Sequence, residues 1–216
     1  MHALTLCKKK TQMNSASQEV SFLPCGRDKW EVRVSGETWR EVHRTIFGAK
    51  PCFPTLLNVG EIQVVFDEYE YKRVKNYTLW RLSKQSYHSE QLAKLLRERL
   101  VQDKTSKRVI ADLQTAGFLD DDAWLQAYVQ SQQKKYGLSL ILAKLRAKGL
   151  SGQTLRQFAE EKQESGDEVQ VIRRLLQTKY RLKDLTDYKM RQKVFTALIR
   201  KGFSFDHVKD ALQARD

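Results

Sequence analysis

Aspartate, histidine and cysteine side chains are the groups from which a catalytic or metal site would have to be built. Asp120, Asp121 and Asp122 are consecutive and could supply half of a metal site, but no second carboxylate group follows at a defined spacing. Carboxylates at the start of a helix also accept hydrogen bonds from its free amides and interact favourably with the helix dipole. We therefore interpret the three aspartates as the beginning of a helix, and we expect no metal site.

The histidines and cysteines are not arranged as ligands or as a nucleophile with its base. No histidine lies four residues from another metal-ligating residue, and the odd number of widely spaced cysteines is typical of free thiols. These residues are His2, His43, His88 and His207, and Cys7, Cys25 and Cys52. Glycine-rich phosphate loops and the Gly-x-Ser-x-Gly motif are absent as well. The sequence predicts neither catalytic residues nor a cofactor, and hence a protein that is not an enzyme.

The charged residues are distributed unevenly, which is the strongest indication of a binding partner. The formal net charge is +13. Basic and acidic residues cancel within residues 1–70 and nearly cancel within 116–170, whereas 71–115 and 171–216 each have a surplus of seven positive charges. Cations that neutralise phosphates release condensed counterions, which favours binding to nucleic acid. A solvated, lysine-rich surface is the alternative explanation.

The two positively charged segments supply the candidate binding residues. Lys189, Lys193 and Arg200 share one face of a predicted helix, opposite Val194 and Leu198. A row of cations can follow a phosphate backbone, and no base-reading motif is present, so we predict contact without sequence preference. The candidates for binding are Arg81, Lys84, Arg97, Lys107, Arg108, Arg173, Arg174, Lys189, Lys193, Arg200 and Lys201. Five tyrosines could either stack on bases or belong to the core, namely Tyr77, Tyr87, Tyr136, Tyr180 and Tyr188.

The first seventy residues differ in pattern from the rest of the chain. Residues 1–28 are polar and lack periodicity, so we expect them to lack regular structure. Alternation from Trp30 to Val34, the turn signal Ser35-Gly36 and the segment 38–42 predict a β-hairpin. Gln63–Phe66 could add a strand. Residues 29–70 are therefore predicted to form a small strand-containing N-terminal region.

From Tyr71 onward the apolar residues recur with the period of a helix. The stripes predict nine short helices in three groups of three, at residues 71–116, 120–165 and 168–213. No helix of this length can bury its stripe alone, so each group is predicted to pack as a three-helix unit. The predicted fold is mainly α: three tandem three-helix units in an elongated curved body, preceded by an N-terminal extension that contains a β-hairpin. The predicted N-caps are Ser89, Thr105, Asp121 or Asp122, Ser151 and Ser204.

An internal repeat marks the end of the middle helix in these units. The pattern Leu-x-x-x-Gly followed by Phe or Leu occupies Leu145–Leu150 and Leu198–Phe203. A glycine one turn after a leucine is typical of a helix end at which the next residue adopts a positive φ. In register with these copies, the first unit has Leu96–Val101, where Leu100 replaces the glycine. A further visible copy, Leu113–Phe118, falls at the junction between the first and second units.

Several short runs carry a resemblance to a known family. They are Tyr77–Ser83, Tyr87 with Ser89 and Leu92, Gly117–Asp121 followed by Trp124 and Tyr128-Val129, Lys148–Leu150, and Lys201–Ser204. Together with the order of the three units, they resemble the RecX regulatory proteins, which modulate the RecA recombinase. The resemblance covers about residues 71–213.

The resemblance implies a regulator that lodges in the groove of the RecA–single-stranded DNA filament and inhibits ATP hydrolysis and strand exchange. It would act in DNA repair and recombination, including the SOS response, as a cytoplasmic monomer with no membrane attachment. Its partners would be the RecA filament and, through it, single-stranded DNA. The alternative is a helical protein that binds nucleic acid without sequence preference and has no recombinase partner.

Overall fold

The computed structural model of the protein describes residues 17–163 and 168–213. Its strands are β1 (Ser17–Cys25), β2 (Lys29–Val34), β3 (Glu37–His43) and β4 (Leu56–Asn58). Its helices are α1 (Arg44–Phe47), α2 (Ile62–Leu82), α3 (Ser89–Glu98), α4 (Asp103–Thr115), α5 (Asp121–Gln133), α6 (Leu138–Lys148), α7 (Gly152–Gln163), α8 (Glu168–Thr178), α9 (Tyr188–Arg200) and α10 (Phe205–Gln213). None of the described helices is both long and apolar enough to cross a membrane.

The chain folds into two compact units. The N-terminal unit contains the described residues up to Arg81 together with Leu96–Val109, and the C-terminal unit contains Leu82–Leu95 and the described residues from Ile110 onward. The fold is mainly helical with a small antiparallel sheet, as the sequence predicts.

The sheet is larger than the predicted hairpin. β2 and β3 form that hairpin, and its turn residues Ser35 and Gly36 both have positive φ, as the right-handed twist of a two-residue hairpin requires. β1 pairs antiparallel with β2 and β4, which gives the strand order β3-β2-β1-β4. Ser17–Cys25 is thus a strand, which corrects the expectation that residues 1–28 lack regular structure. Residues 1–16 of that stretch lie outside the described residues.

The strand expected at Gln63–Phe66 is wrong, because these residues lie at the beginning of α2. The side chains of Ile62, Phe66, Glu70 and Val74 recur every four residues and are buried along one face of the helix. The apolar run Val64-Val65-Phe66 concealed this period. The apolar pattern near Tyr77–Leu82 predicts a separate short first helix of the first unit, but this segment is the end of α2.

Aromatic side chains form much of the core of the N-terminal unit. Phe66 of α2 stacks on Phe47 with ring centroids 5.6 Å apart, and it contacts Trp39 of β3 edge-on at 5.0 Å. The same core contains the carboxyl group of Glu70, which accepts a hydrogen bond of 2.6 Å from the Thr105 hydroxyl. Thr105 therefore lies inside α4 and does not cap it, since that helix begins at Asp103.

Six helices of the C-terminal unit, α5–α10, pack in two sets of three. Ile141 and Leu145 of α6 pack with Leu155 and Phe158 of α7 and with Val129 of α5. A second core brings together α8, α9 and α10. Its fully or nearly buried members are Ile172, Leu176, Tyr180, Val194, Leu198, Phe203, Val208, Ala211 and Leu212. We call α5–α7 the middle set and α8–α10 the third set.

The glycines of the repeat end helices in the left-handed conformation. Gly149 has φ 103° and Gly202 has φ 84°, and Leu100, which aligns with them, has φ 57°. Leu100 and Ser35 are the non-glycine residues with positive φ in the described part of the chain. The proposed register of the repeat is therefore visible in the backbone.

The repeat glycines also allow neighbouring helices to approach closely. A Cβ at Gly202 would collide with the backbone of Leu140 in α6, and a Cβ at Gly149 would lie 2.8 Å from Cδ of Lys94 in α3. In both cases, the glycine that ends one middle helix lies against the middle helix of the preceding set. A larger residue would have to displace that helix.

Carboxylates cap helices across these junctions. Glu90 of α3 accepts hydrogen bonds from the Ser151 amide (2.5 Å) and the Thr154 hydroxyl (2.9 Å) at the start of α7. Asp121 of α5 accepts a 2.6 Å hydrogen bond from the Ser89 amide. Glu168 of α8 plays the same part for the Leu138 and Ser204 amides, at 2.7 and 3.3 Å.

The helix caps follow the sequence prediction in part. Ser151 and Ser204 cap their own helices by accepting from the amides of Thr154 and His207, each at 3.2 Å. The cap of α5 is Asp120, not Asp121 or Asp122, because Asp121 is directed towards α3. At α3 the ring of His88, not Ser89, accepts from the Glu90 amide.

Candidate functional site

The predicted basic row on α9 is exposed. Asp187 fixes the start of this helix by accepting hydrogen bonds from the amides of Lys189 and Met190. Val194 and Leu198 face the core of the third set, which leaves Lys189, Lys193 and Arg200 exposed to solvent. None of these three side chains forms an ion pair with a described residue. Their charges are therefore available to a polyanion, and we call these three residues the α9 row.

Two further predicted cations lie on α8 of the same set. Arg173 and Arg174 follow the buried Ile172, and both are exposed. Within residues 17–163 and 168–213, neither has an acidic partner. The structure thus places five of the predicted binding residues on the exposed surface of one three-helix set.

Lys201, just after α9, has different surroundings. Its Nζ donates a 3.2 Å hydrogen bond to the backbone carbonyl of Lys135 and lies 5.0 Å from the centre of the Tyr136 ring. Burial lowers the pKa of Lys201, and the positive charges of Lys179, Lys144 and Lys135 lower it further. Lys201 is therefore part of a group of lysines, and it is the member of that group in the predicted set of binding residues.

The predicted cations of α4 are already neutralised. Arg108 forms an ion pair with Glu68, and its guanidinium lies 4.0 Å from the centre of the Tyr71 ring. Lys107 pairs with Asp103 one turn earlier, at 3.1 Å. The surplus charge counted along this segment is thus reduced locally, and these two residues are weaker candidates than those of the third set.

The other predicted cations are distributed over both units. Arg81 is half-buried in the last turn of α2, and Arg97 is exposed near the end of α3; both belong to the N-terminal unit. Lys84 is exposed in the connection that follows α2 and belongs to the C-terminal unit. Neither Arg97 nor Lys84 forms an ion pair with the part of the chain that the structure describes.

The tyrosines separate into core and surface residues. Tyr77, Tyr87 and Tyr180 are buried, and Tyr136 is half-buried beneath lysine side chains. Tyr188, which begins α9, is 76% exposed and precedes Lys189 directly. Of the five, Tyr188 has the free ring that stacking on a base would need.

No metal centre is formed by the described residues, since three or more His, Cys, Asp or Glu side chains do not come together there in a ligating arrangement. His88 and His207 instead lie at helix starts. The Nδ1 atom of His207 is 3.0 Å from Oε2 of Glu168, and that of His88 is 3.7 Å from Oδ1 of Asp121. His88 thus lies at the junction between α3 and α5, whereas His207 connects two helices of the third set.

Comparison with known proteins shows which proteins this chain resembles. A family model described as the third three-helix domain of RecX matches residues 166–212, which include α8–α10. The regulatory protein RecX of Clostridium perfringens strain SM101 is 28% identical over 155 residues, which are 70% of this chain and 73% of that protein. The regulatory protein RecX of Amycolatopsis mediterranei is 27% identical over 139 residues, 63% of this chain and 79% of that protein.

Solved structures share the fold. A crystal structure of regulatory protein RecX matches 89% of this chain and 99% of its own, with a TM-score of 0.54 and 19% identity. RecX from Lactobacillus salivarius matches 67% of this chain and 95% of its own, with a TM-score of 0.55 and 20% identity. The helical sets, the matched third domain and these similarities lead to one conclusion: the chain is similar in sequence to the RecX regulatory proteins and shares their fold.

Proposed function

We propose that this protein binds the RecA–single-stranded DNA filament and inhibits its ATP hydrolysis and strand exchange, in DNA repair, recombination and the SOS response. The observation that carries the proposal is the similarity to regulatory proteins named RecX over 155 residues. That name refers to regulation of RecA. We expect the protein to act by binding alone, as a cytoplasmic monomer.

The charges of the third set support contact with a filament that contains nucleic acid. Arg173, Arg174 and the α9 row are exposed and unpaired among the described residues, so an external anion can neutralise them. Lysine and arginine side chains bind phosphates without reading bases. A regulator of a filament assembled on any sequence needs this property.

A titration with RecA, ATP and circular single-stranded DNA tests the proposal. RecA-catalysed ATP hydrolysis and strand exchange should both decrease as the protein is added to a preformed filament. A variant in which the three residues of the α9 row are changed to glutamate should inhibit RecA only at a higher concentration than the wild-type protein. Unchanged ATP turnover and strand exchange at several-fold excess over RecA would refute the proposal.

The second candidate function is nucleic-acid binding without a recombinase partner, which the unpaired cations of α8 and α9 also favour. It predicts equal affinity for unrelated single strands and a steep decrease of affinity with salt. Salt-insensitive binding to RecA in the absence of DNA would count against it. Binding to DNA without any effect on RecA would favour it over the first proposal.

A further inference from the structure

Two lysines of the C-terminal unit contact the ring of Tyr136, and two more lie close enough to Lys201 to lower its pKa. They are Lys135, which follows α5, Lys144 on α6, Lys179, which follows α8, and Lys201, which follows α9, and we call them the lysine cluster. The Nζ atom of Lys144 lies 3.3 Å from the centre of the Tyr136 ring, and that of Lys201 lies 5.0 Å from it. Residues that are far apart in the sequence thus place positive charge at one position.

The protein compensates this charge only in part. Lys201 donates to the Lys135 carbonyl, and Lys144 donates to the amide oxygen of Gln132 at 3.1 Å. Three cluster members follow helix C-termini, where the helix dipole favours cations. However, no member forms an ion pair with a carboxylate in the described ranges 17–163 and 168–213. The pKa of Lys201 is lowered by burial and by the positive charges of the other three lysines. A bound anion would reduce the repulsion among these positive charges.

We infer that the lysine cluster binds the phosphate groups of a single-stranded nucleic-acid backbone. The ammonium groups of Lys144 and Lys201 lie against the ring of Tyr136, so this ring cannot stack on a base. We therefore expect the cluster to contact only the phosphate backbone of the nucleic acid. Ammonium groups are compact point charges that suit a tetrahedral phosphate approached from several directions. The inference rests on the proposed function in one respect: we identify the bound strand with the single-stranded DNA of the RecA filament.

The test uses the full-length protein and a fluorescein-labelled oligothymidine, whose binding is followed by anisotropy at several salt concentrations. Two double variants, K144Q/K201Q and K135Q/K179Q, remove the same charge from different parts of the cluster. Because each lost contact to a single strand lowers the salt slope by about 0.7, each variant should lower it by about 1.4. The matched control K50Q/K209Q removes two exposed lysines that lie outside the cluster and should leave the slope unchanged.

Variants that keep the charge separate electrostatics from packing. K144R/K201R should restore the slope of the wild-type protein, and circular dichroism should show all variants folded. Binding of the wild-type protein to polyglutamate with the same dependence on the cluster would indicate a protein-directed anion site and would overturn the phosphate assignment. An unchanged slope in both glutamine variants, or no binding of oligothymidine by the wild-type protein, would also overturn it.

The inference and the proposed function can fail separately. Oligothymidine binding is measured without RecA, and inhibition of RecA-catalysed ATP hydrolysis is measured in parallel. If the wild-type protein does not inhibit RecA while the cluster variants bind oligothymidine with a reduced salt slope, the proposed function is wrong and the phosphate site is confirmed. If inhibition is intact while the slopes do not change, the phosphate site is wrong.

Discussion

At the scale of single residues, the backbone conformation at the repeat position connects the sequence pattern to the packing of helices. Gly149 and Gly202 have positive φ and also lie where a Cβ would press on the preceding middle helix. Leu100 has the same sign of φ without being glycine. Glycine is suited to Gly149 and Gly202 for two reasons: it adopts a positive φ without strain, and it has no side chain to collide with the neighbouring helix. Leu100 shows that a positive φ alone does not require glycine at this position of the repeat.

Replacing Leu100 by glycine should stabilise the protein. A non-glycine residue in the left-handed region costs about 1 kcal/mol, and the contacts of the Leu100 side chain, which is 37% exposed, offset only part of this cost. We expect an increase in the free energy of unfolding of about 0.5 kcal/mol once the greater freedom of glycine in the unfolded chain is included. Urea denaturation measures this value. A decrease would mean that the Leu100 side chain stabilises the fold more than its backbone strain destabilises it.

Replacing Gly202 by alanine should destabilise the protein far more than the same change at Gly117. Both glycines have positive φ, but the space at Gly117 is open, whereas a Cβ at Gly202 would collide with Leu140. We expect a loss of about 1 kcal/mol at Gly117 and about 3 kcal/mol at Gly202, since overpacking adds to the backbone strain. Thermal and urea unfolding of the two variants provide the comparison. Equal losses would show that the helices separate easily at this junction.

At the scale of helices and strands, the sequence predicts the helical sets well because their stripes are regular. Ile141 and Leu145, or Val194 and Leu198, are four residues apart and are buried as that period requires. The start of α2 was predicted wrongly because Val64 and Val65 are apolar yet lie on the exposed and half-buried faces. A short apolar run fits a strand and a helix equally, and only the partners of Phe66 decide between them.

The junction between α3 and α7 predicts a dependence of stability on pH. Burial opposes the negative charge of Glu90, but hydrogen bonds from Ser151 and Thr154 outweigh it and lower its pKa below 4.5. The ionised carboxylate is thus favoured in the folded state. Its contribution is complete at pH values above 4.5 and is lost as the pH falls through the lowered pKa.

The variant Glu90→Gln tests this contribution. It should lose about 1 kcal/mol at pH 7, because an amide accepts hydrogen bonds less strongly than a carboxylate at this partly exposed site. The difference from the wild-type protein should shrink as the pH is lowered below 4.5, which urea denaturation at several pH values would measure. The control Glu98→Gln lies on the same helix, and its side chain is exposed and has no hydrogen-bond partner among the described residues. A constant difference at all pH values would contradict the assignment to ionised Glu90.

At the scale of the whole molecule, the net charge of a sequence segment does not predict where unpaired positive charges lie in the folded protein. The segment 116–170 is nearly neutral in total, yet it supplies Lys135 and Lys144 to the lysine cluster. The segment 71–115 has a large surplus, yet Lys107 and Arg108 are paired with carboxylates. Sequence patterns predict a row on one helix, such as the α9 row, but not a cluster whose members come from four elements. Only the packing of the helices brings those lysines together.

The α9 row should affect binding without affecting stability. Changing Lys189, Lys193 and Arg200 to glutamate removes three exposed cations that have no ion pair with a described residue, so the free energy of unfolding should change by less than about 0.5 kcal/mol. The salt slope for oligothymidine should decrease by about 2, and inhibition of RecA should require more protein, because three phosphate contacts are lost. The control variant K189R/K193R/R200K keeps the three positive charges and should behave as the wild-type protein. If the glutamate variant kept its affinity for DNA but lost its effect on RecA, the row would contact the recombinase and not phosphate. The lysine cluster would then carry the nucleic-acid contact alone.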